Sequence, residues 1–179
     1  MNKDIEKVLI TEEAIGRRLD EVAQRIIADF SNQDPLQVVA ILKGSVFFMA
    51  DLLRRIPFKI EIECLNVSSY HGGTKSSGQV DFLDQKLPDV RRRCVLVVDD
   101  ILDTGQTLGE VKAKLTQLGA SEVKTCVLIS KKKERVCDLK ADYAAFEIDD
   151  EFVVGYGLDY RGQYRNLPYV GVLKSSLVS

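Results

Sequence analysis

The sequence predicts an α/β domain with a central parallel sheet flanked by helices, and three observations carry that expectation. Gln37 to Leu42 and Cys94 to Val98 are short apolar runs rich in β-branched residues, the pattern of strands buried on both faces. Each runs into a polar, glycine-containing turn and then into a segment with helical periodicity, the order of a strand–helix–strand crossover. The chain has 179 residues, which the usual size range assigns to one domain.

The elements follow in order. Thr11 can cap a helix whose Ile15, Leu19, Val22, Ala23, Ile26, Ile27 and Phe30 keep helical spacing, ending near Ser31-Asn32. After the strand ending at Leu42, Lys43-Gly44-Ser45 turns into a helix from about Val46 to Arg55, and Lys59 to Val67 fits another strand. Ser68 to Arg93 is first polar and Gly-rich and shows no core periodicity, which is long for an inert loop, so a mobile lid is expected at about 68–93. The strand Cys94 to Val98 ends in Asp99-Asp100, and Leu108, Val111, Leu115 and Leu118 define a helix closed by Gly119. Val123 to Ser130 and Tyr143 to Ile148 complete the core, expected at about 34–150. Strand-like pieces at Phe152 to Leu158 and Pro168 to Leu173 would join the N-terminus in a small hood, from about 1–33 and 151–179, within one domain spanning 1–179.

Composition narrows the function. With 25 Lys plus Arg against 27 Asp plus Glu, net charge is -2 and pI near 5.6, which argues against an electrostatic grip on nucleic acid or membrane. No stretch reaches spanning length and the start has no apolar leader core, so a soluble, cytoplasmic protein is expected. The four cysteines, Cys64, Cys94, Cys126 and Cys137, form no C-x-x-C, and the first three sit in apolar runs, which reads as reduced core thiols. His71 is the one histidine, so a His-rich zinc site is excluded.

The densest chemistry is Asp99-Asp100-Ile101-Leu102-Asp103-Thr104-Gly105-Gln106-Thr107, with three carboxylates and two hydroxyls in nine residues. Asp103 to Thr107 falls where a strand turns into a helix, so backbone N–H groups, Thr hydroxyls and the positive helix end converge on an anion-sized space. A phosphate fits there. The neighbouring acids would repel it unless they face sugar hydroxyls, Mg²⁺ or a proton to be removed, and the ligand therefore reads as a phosphorylated sugar.

This segment resembles the phosphoribosyl pyrophosphate signature of the type I phosphoribosyltransferases. Phe152-Val153-Val154-Gly155-Tyr156-Gly157-Leu158-Asp159-Tyr160 with Arg165 resembles the purine-closing segment of the hypoxanthine-guanine members, and Leu42-Lys43-Gly44, Ser69-Tyr70 and Lys131 match them in order and spacing. The likeness spans about Thr11 to Leu173. It implies the type I phosphoribosyltransferase fold and transfer of a 5-phosphoribosyl group from phosphoribosyl pyrophosphate to hypoxanthine or guanine. It also implies that Asp99, Asp100, Asp103, Thr104, Gly105, Gln106 and Thr107 bind the phosphoribosyl group. Asp103 would be the base at purine N7, and Lys43, Gly44, Ser69, Tyr70 and Arg165 would bind pyrophosphate. Lys131, Phe152, Val153 and Asp159 would hold the purine, with Mg²⁺ as cofactor at Asp99, Asp100 and Asp159. A cis peptide at Leu42-Lys43 and a homodimer or homotetramer come with the resemblance as well. At the first acid, Asp99 stands where many relatives carry Glu.

Lys131 as a donor-only ammonium would favour a 6-oxopurine over adenine, whose 6-amino group also donates. Lys132 and Lys133 are expected as solvated strand-end charges, and His71 as part of the lid. Two alternatives differ in class. A phosphorylation receiver shares Val97-Val98-Asp99-Asp100 but needs more repeats than the 79 residues after Asp100 supply. A phosphoribosyl-pyrophosphate-binding RNA attenuator would keep the fold and ligand but needs a basic face that this chain lacks.

Overall fold

The computed structural model describes residues 3–32, 35–69, 80–84, 86–133 and 139–177. The strands are β1 (Ile5–Ile10), β2 (Leu36–Leu42), β3 (Ile60–Ser69), β4 (Val80–Phe82), β5 (Cys94–Leu102), β6 (Glu122–Lys131), β7 (Tyr143–Ile148), β8 (Val153–Val154) and β9 (Val170–Leu173). The helices are α1 (Glu12–Phe30), α2 (Val46–Leu53) and α3 (Gln106–Gln117). Six strands form one sheet in the order β4-β3-β2-β5-β6-β7, parallel throughout except for β4 against β3.

Alternation along the central strands divides the core between two layers. Val38, Leu96, Val98 and Leu128 face a cluster with Ile15, Leu19, Val22 and Ile26 of α1 and Phe48 and Leu52 of α2. Val39, Val95, Val97 and Val127 face the opposite side, against Leu108, Val111 and Leu115 of α3. Residues one apart point to opposite faces, so strands covered on both sides are apolar through their middle, as Val38 to Ile41, Val95 to Val98 and Cys126 to Ile129 are. Thr11 caps α1 by accepting the Ala14 N–H at 3.2 Å, and Gly119 ends α3 with φ 94°.

The termini build a second, three-stranded antiparallel sheet, β1-β9-β8. The expected hood thus takes Ile5–Ile10 from the N-terminal segment, whereas α1, expected in the same segment, packs on the main sheet against β7 and α2. Its own small core joins Ile5, Val154 and Leu173. Tyr156 ties it to α2 by donating its hydroxyl hydrogen bond to Asp51 at 2.6 Å.

Two expectations change, for β5 and for Cys64, and a third falls partly outside the described residues. β5 runs past the two aspartates to Leu102, because Ile101 and Leu102 continue the ladder with Ile129 and Ser130 of β6. Of the segment expected as a lid, 70–79 and 85, with Tyr70 and His71, lie outside the described residues. From Val80 on the described part is held to the core: β4 pairs with β3, the Asn66 side chain donates to Asp84 at 3.0 Å, and Val90 is fully buried. Cys126 is buried and Cys94 half-buried, but Cys64 is exposed, since β4 covers β3 only over Val67 to Ser69 and leaves the earlier part of the strand at the sheet margin. Cys137 lies outside the described residues.

Candidate active site

A cavity of about 320 Å³ opens at the carboxyl ends of three adjacent strands. Val67 of β3, Ile41 and Leu42 of β2 and Asp99 to Leu102 of β5 supply its floor, Asp103 to Leu108 its wall, and Asp159 and Arg165 its hood side. Ligands in parallel α/β sheets bind at this end because the turns there present helix N-termini and strand-end side chains together.

The wall is a strand-to-helix turn. Gly105 adopts φ 83°, a left-handed conformation that brings the chain round into α3 without side-chain strain. The N-cap Gly105 has no side chain to cap α3 and no acid lies in the first turn; the Gln106 N–H donates to the Thr104 hydroxyl at 3.5 Å, and the positive end of the helix faces the cavity. Thr104 and Thr107 line the cavity beside them, whereas Gln106 opens the helix and is not on the lining.

The floor is acidic. Asp99 is 6% exposed and accepts the Asp100 N–H at 2.9 Å. Burial pushes both carboxyls above their usual range, and for Asp99 the Asp100 charge adds to it. Two adjacent buried carboxylates resist ionising together, which makes this pair a place for a counter-charge or for hydroxyl donors. Gly44 abuts it, since a Cβ there would lie 1.6 Å from Asp100 Oδ2, so only glycine lets the Lys43-Gly44 turn close on the acid. The Leu42-Lys43 peptide is cis, as the resemblance implies. Lys43 itself is exposed and not on the lining.

Asp159 and Arg165 pair at 2.6 Å, and Asp159 also accepts the Gly162 N–H at 2.7 Å. Arg165 donates to the Gly157 carbonyl at 2.6 Å, which fastens the hood turn over the cavity. Asp159 is thus both a turn acid and a lining residue. Among the described residues no three His, Cys, Asp or Glu side chains come together as a metal cage. The arrangement fits Mg²⁺ only in the manner that ion prefers, with one or two carboxylates and the rest of its shell from substrate oxygens and water.

Of the expected purine side, Asp159 lines this cavity, whereas Lys131, Phe152 and Val153 are not on its lining. Lys131, at the end of β6, lies 3.9 Å from Asp103 Oδ2 and 2.8 Å from Asp150 Oδ1. Phe152 is 42% exposed and meets Tyr160 edge-on with ring centroids 5.5 Å apart, so it is no core aromatic. Val153 is buried in β8. Ser69 ends β3, its backbone paired with Val80; Tyr70 lies outside the described residues. Lys132 is solvated, as expected, 3.9 Å from Asp149. Lys133 is not: it lies 2.8 Å from Asp103 and 3.1 Å from Asp150, because the turn after β7 brings Asp150 back to the end of β6. Asp150 and Lys133 carry no local signal, since their partners are distant in sequence.

A helix N-terminus just past a strand's carboxyl end, acids beneath it and a hood beside it make one cavity on a parallel α/β sheet, the form of a site for a small anionic ligand. The phosphoribosyl transferase domain model matches residues 9–161. The hypoxanthine-guanine phosphoribosyltransferase of Streptococcus pneumoniae strain R6 is 44% identical over 179 residues, all of this chain and 99% of that protein. A crystal structure of a hypoxanthine phosphoribosyltransferase from Staphylococcus aureus superposes with TM-score 0.91 at 42% identity, covering 98% of this chain and 95% of that one. The Trypanosoma cruzi hypoxanthine phosphoribosyltransferase in complex with the product IMP gives TM-score 0.91 at 37% identity, covering 99% and 98%. The chain belongs to the phosphoribosyltransferase family, in its hypoxanthine-guanine phosphoribosyltransferase branch.

Proposed function

We propose that this protein transfers the 5-phosphoribosyl group of phosphoribosyl pyrophosphate to N9 of hypoxanthine or guanine, releasing pyrophosphate and forming IMP or GMP. The observation that carries the reading is the single cavity in which the Asp103 to Thr107 turn, the Asp99-Asp100 pair and Arg165 converge, in a chain with full-length kinship to enzymes of that name. The N9–C1′ bond forms as the bond from C1′ to the pyrophosphate oxygen breaks.

In this reading the α3 N-terminus and the Thr104 and Thr107 hydroxyls hold the 5-phosphate, and the acid pair takes the ribose hydroxyls. Asp103 accepts the N7 proton as N9 attacks, which keeps the purine from accumulating positive charge. Pyrophosphate leaves toward the Lys43-Gly44 turn and Arg165, whose donors meet the developing charge. Asp99 or Asp100 and Asp159 would hold Mg²⁺ shared with substrate oxygens, and the ion would neutralise the departing diphosphate. Lys131 donates to the 6-oxo oxygen, and Phe152 stacks on the base while the Val153 backbone reads its edge. The RNA-attenuator alternative is not favoured, because the full-length relatives bear the name of the transferase. No described helix is long and apolar enough to cross a membrane. In this reading the enzyme is cytoplasmic and acts on small-molecule substrates. Two or four copies are expected to assemble, a number that sedimentation velocity reads.

The test is to incubate the purified protein with phosphoribosyl pyrophosphate, Mg²⁺ and, separately, hypoxanthine, guanine, xanthine and adenine. Nucleotide is expected from hypoxanthine and guanine. No product from any 6-oxopurine overturns the reading, and equal use of adenine removes Lys131 from the role given to it.

A further inference from the structure

The charges beside the cavity form a closed cluster, of which the reaction above uses only part. Lys131 lies 2.8 Å from Asp150 Oδ1 and 3.9 Å from Asp103 Oδ2, and Lys133 lies 2.8 Å from Asp103 Oδ1 and 3.1 Å from Asp150 Oδ2. Two ammonium groups and two carboxylates thus alternate, each cation facing both anions. They come from three places in the fold: Asp103 from the turn after β5, the lysines from the end of β6 and just beyond it, and Asp150 from the turn after β7. Asp103 Oδ1 is buried, and the Lys133 ammonium at 2.8 Å is the group that faces it. The Lys131 side chain is only 10% exposed, and that of Lys133 28%.

Without a base in the site, Lys131 is engaged with Asp150 and Asp103. Binding a 6-oxopurine requires its ammonium to turn toward the exocyclic oxygen. A lysine that alone balances two carboxylates resists such a turn, because each anion would be left without counter-charge in a partly desolvated site. Lys133 already reaches both. We infer that Lys133 is a positioning residue for purine recognition, keeping Asp103 and Asp150 paired so that Lys131 is released to the base. The inference rests on the reading of the chain as a 6-oxopurine phosphoribosyltransferase.

Steady-state kinetics of Lys133→Met and Lys133→Arg beside wild type test it. In Lys133→Met, KM for hypoxanthine is expected to rise about fivefold, the upper range for a partly exposed charge pair. KM for phosphoribosyl pyrophosphate should stay within about twofold, since the phosphate turn is untouched, and Lys133→Arg should return the hypoxanthine KM to near wild type. A merely structural ion pair would lower the melting temperature without separating the two KM values. Should Lys133→Met melt below the assay temperature, Lys133→Gln replaces it with a polar side chain of similar length. Unchanged hypoxanthine KM in an active, folded variant overturns the role of Lys133 alone, as does a parallel rise in both KM values. A wild-type protein that turns over no 6-oxopurine overturns the underlying reading, and the role of Lys133 with it.

Discussion

The two sides of the site are built differently. The side proposed to bind phosphate is one contiguous stretch, Asp99 to Thr107, in which a strand end, a left-handed glycine and a helix N-terminus follow one another. The side proposed to bind purine is assembled from the end of β6, the turn after β7 and the hood, and its lysines are paired with Asp150 and with Asp103. Binding a phosphate needs fixed donors in one place, which a single turn supplies. Choosing among bases of similar shape needs groups aimed from several directions, and a lysine held by exchangeable partners can be redirected by the ligand. Asp103 is where the two sides meet, as it lines the cavity and faces both Lys131 and Lys133.

If this division is sound, substitutions should separate by substrate. The largest effect belongs to the shared residue: Asp103→Asn is expected to lower kcat by about 100-fold or more with modest loss of phosphoribosyl pyrophosphate affinity, the size of a lost general base. Near-normal turnover would remove Asp103 from that role. Next, Thr107→Ala should raise KM for phosphoribosyl pyrophosphate by roughly 10-fold, as for a hydrogen bond to a charged group, and leave KM for hypoxanthine nearly unchanged. Lys131→Met should do the reverse, raising KM for hypoxanthine by about 10-fold and narrowing the preference over adenine. Parallel shifts in both constants for either variant would break the two-sided description.

The smallest expected effect is on stability. Asp99 and Asp100 hold protons to higher pH when folded than when unfolded. From about pH 4, where exposed carboxyls ionise, the folded state therefore binds more protons than the unfolded one, and stability falls as pH rises. Asp99→Asn, melted in metal-free buffer at pH 7, should gain about 3 °C while losing activity, and the gain should vanish below pH 4. An unchanged or lower melting temperature at pH 7 would show that the pair is not the stored strain its burial implies.

Much of the molecule was legible in the sequence because the relevant physics is local. Thr11 and the spacing from Ile15 to Phe30 mark α1 to within a residue, and the apolar runs at β2, β5 and β6 mark strands that need cover on both faces. What escaped has partners far along the chain. β4 is three residues long and exists only against β3. β1 is ordered by β9, whose Leu173 pairs with Ile5. The acids of β5 mimic a strand end, although the ladder with β6 carries the strand on to Leu102. Lys133 has the neighbours of a solvated run, and nothing near it in sequence points to Asp103 or Asp150.

The sequence alone therefore determined the parallel α/β class and the strand-to-helix turn at Asp103 to Thr107, since each depends on periodicity or on side chains within one turn of one another, and its resemblance over several separate blocks gave the family. Only the tertiary structure decided that α1 belongs to the main sheet, that the hood is a three-stranded sheet closed by the two ends of the chain, and that two lysines share two aspartates beside the site. These are contacts between segments well separated along the chain. They form only when burial of the two apolar layers fixes the strand order, and with it which strand ends and turns become neighbours.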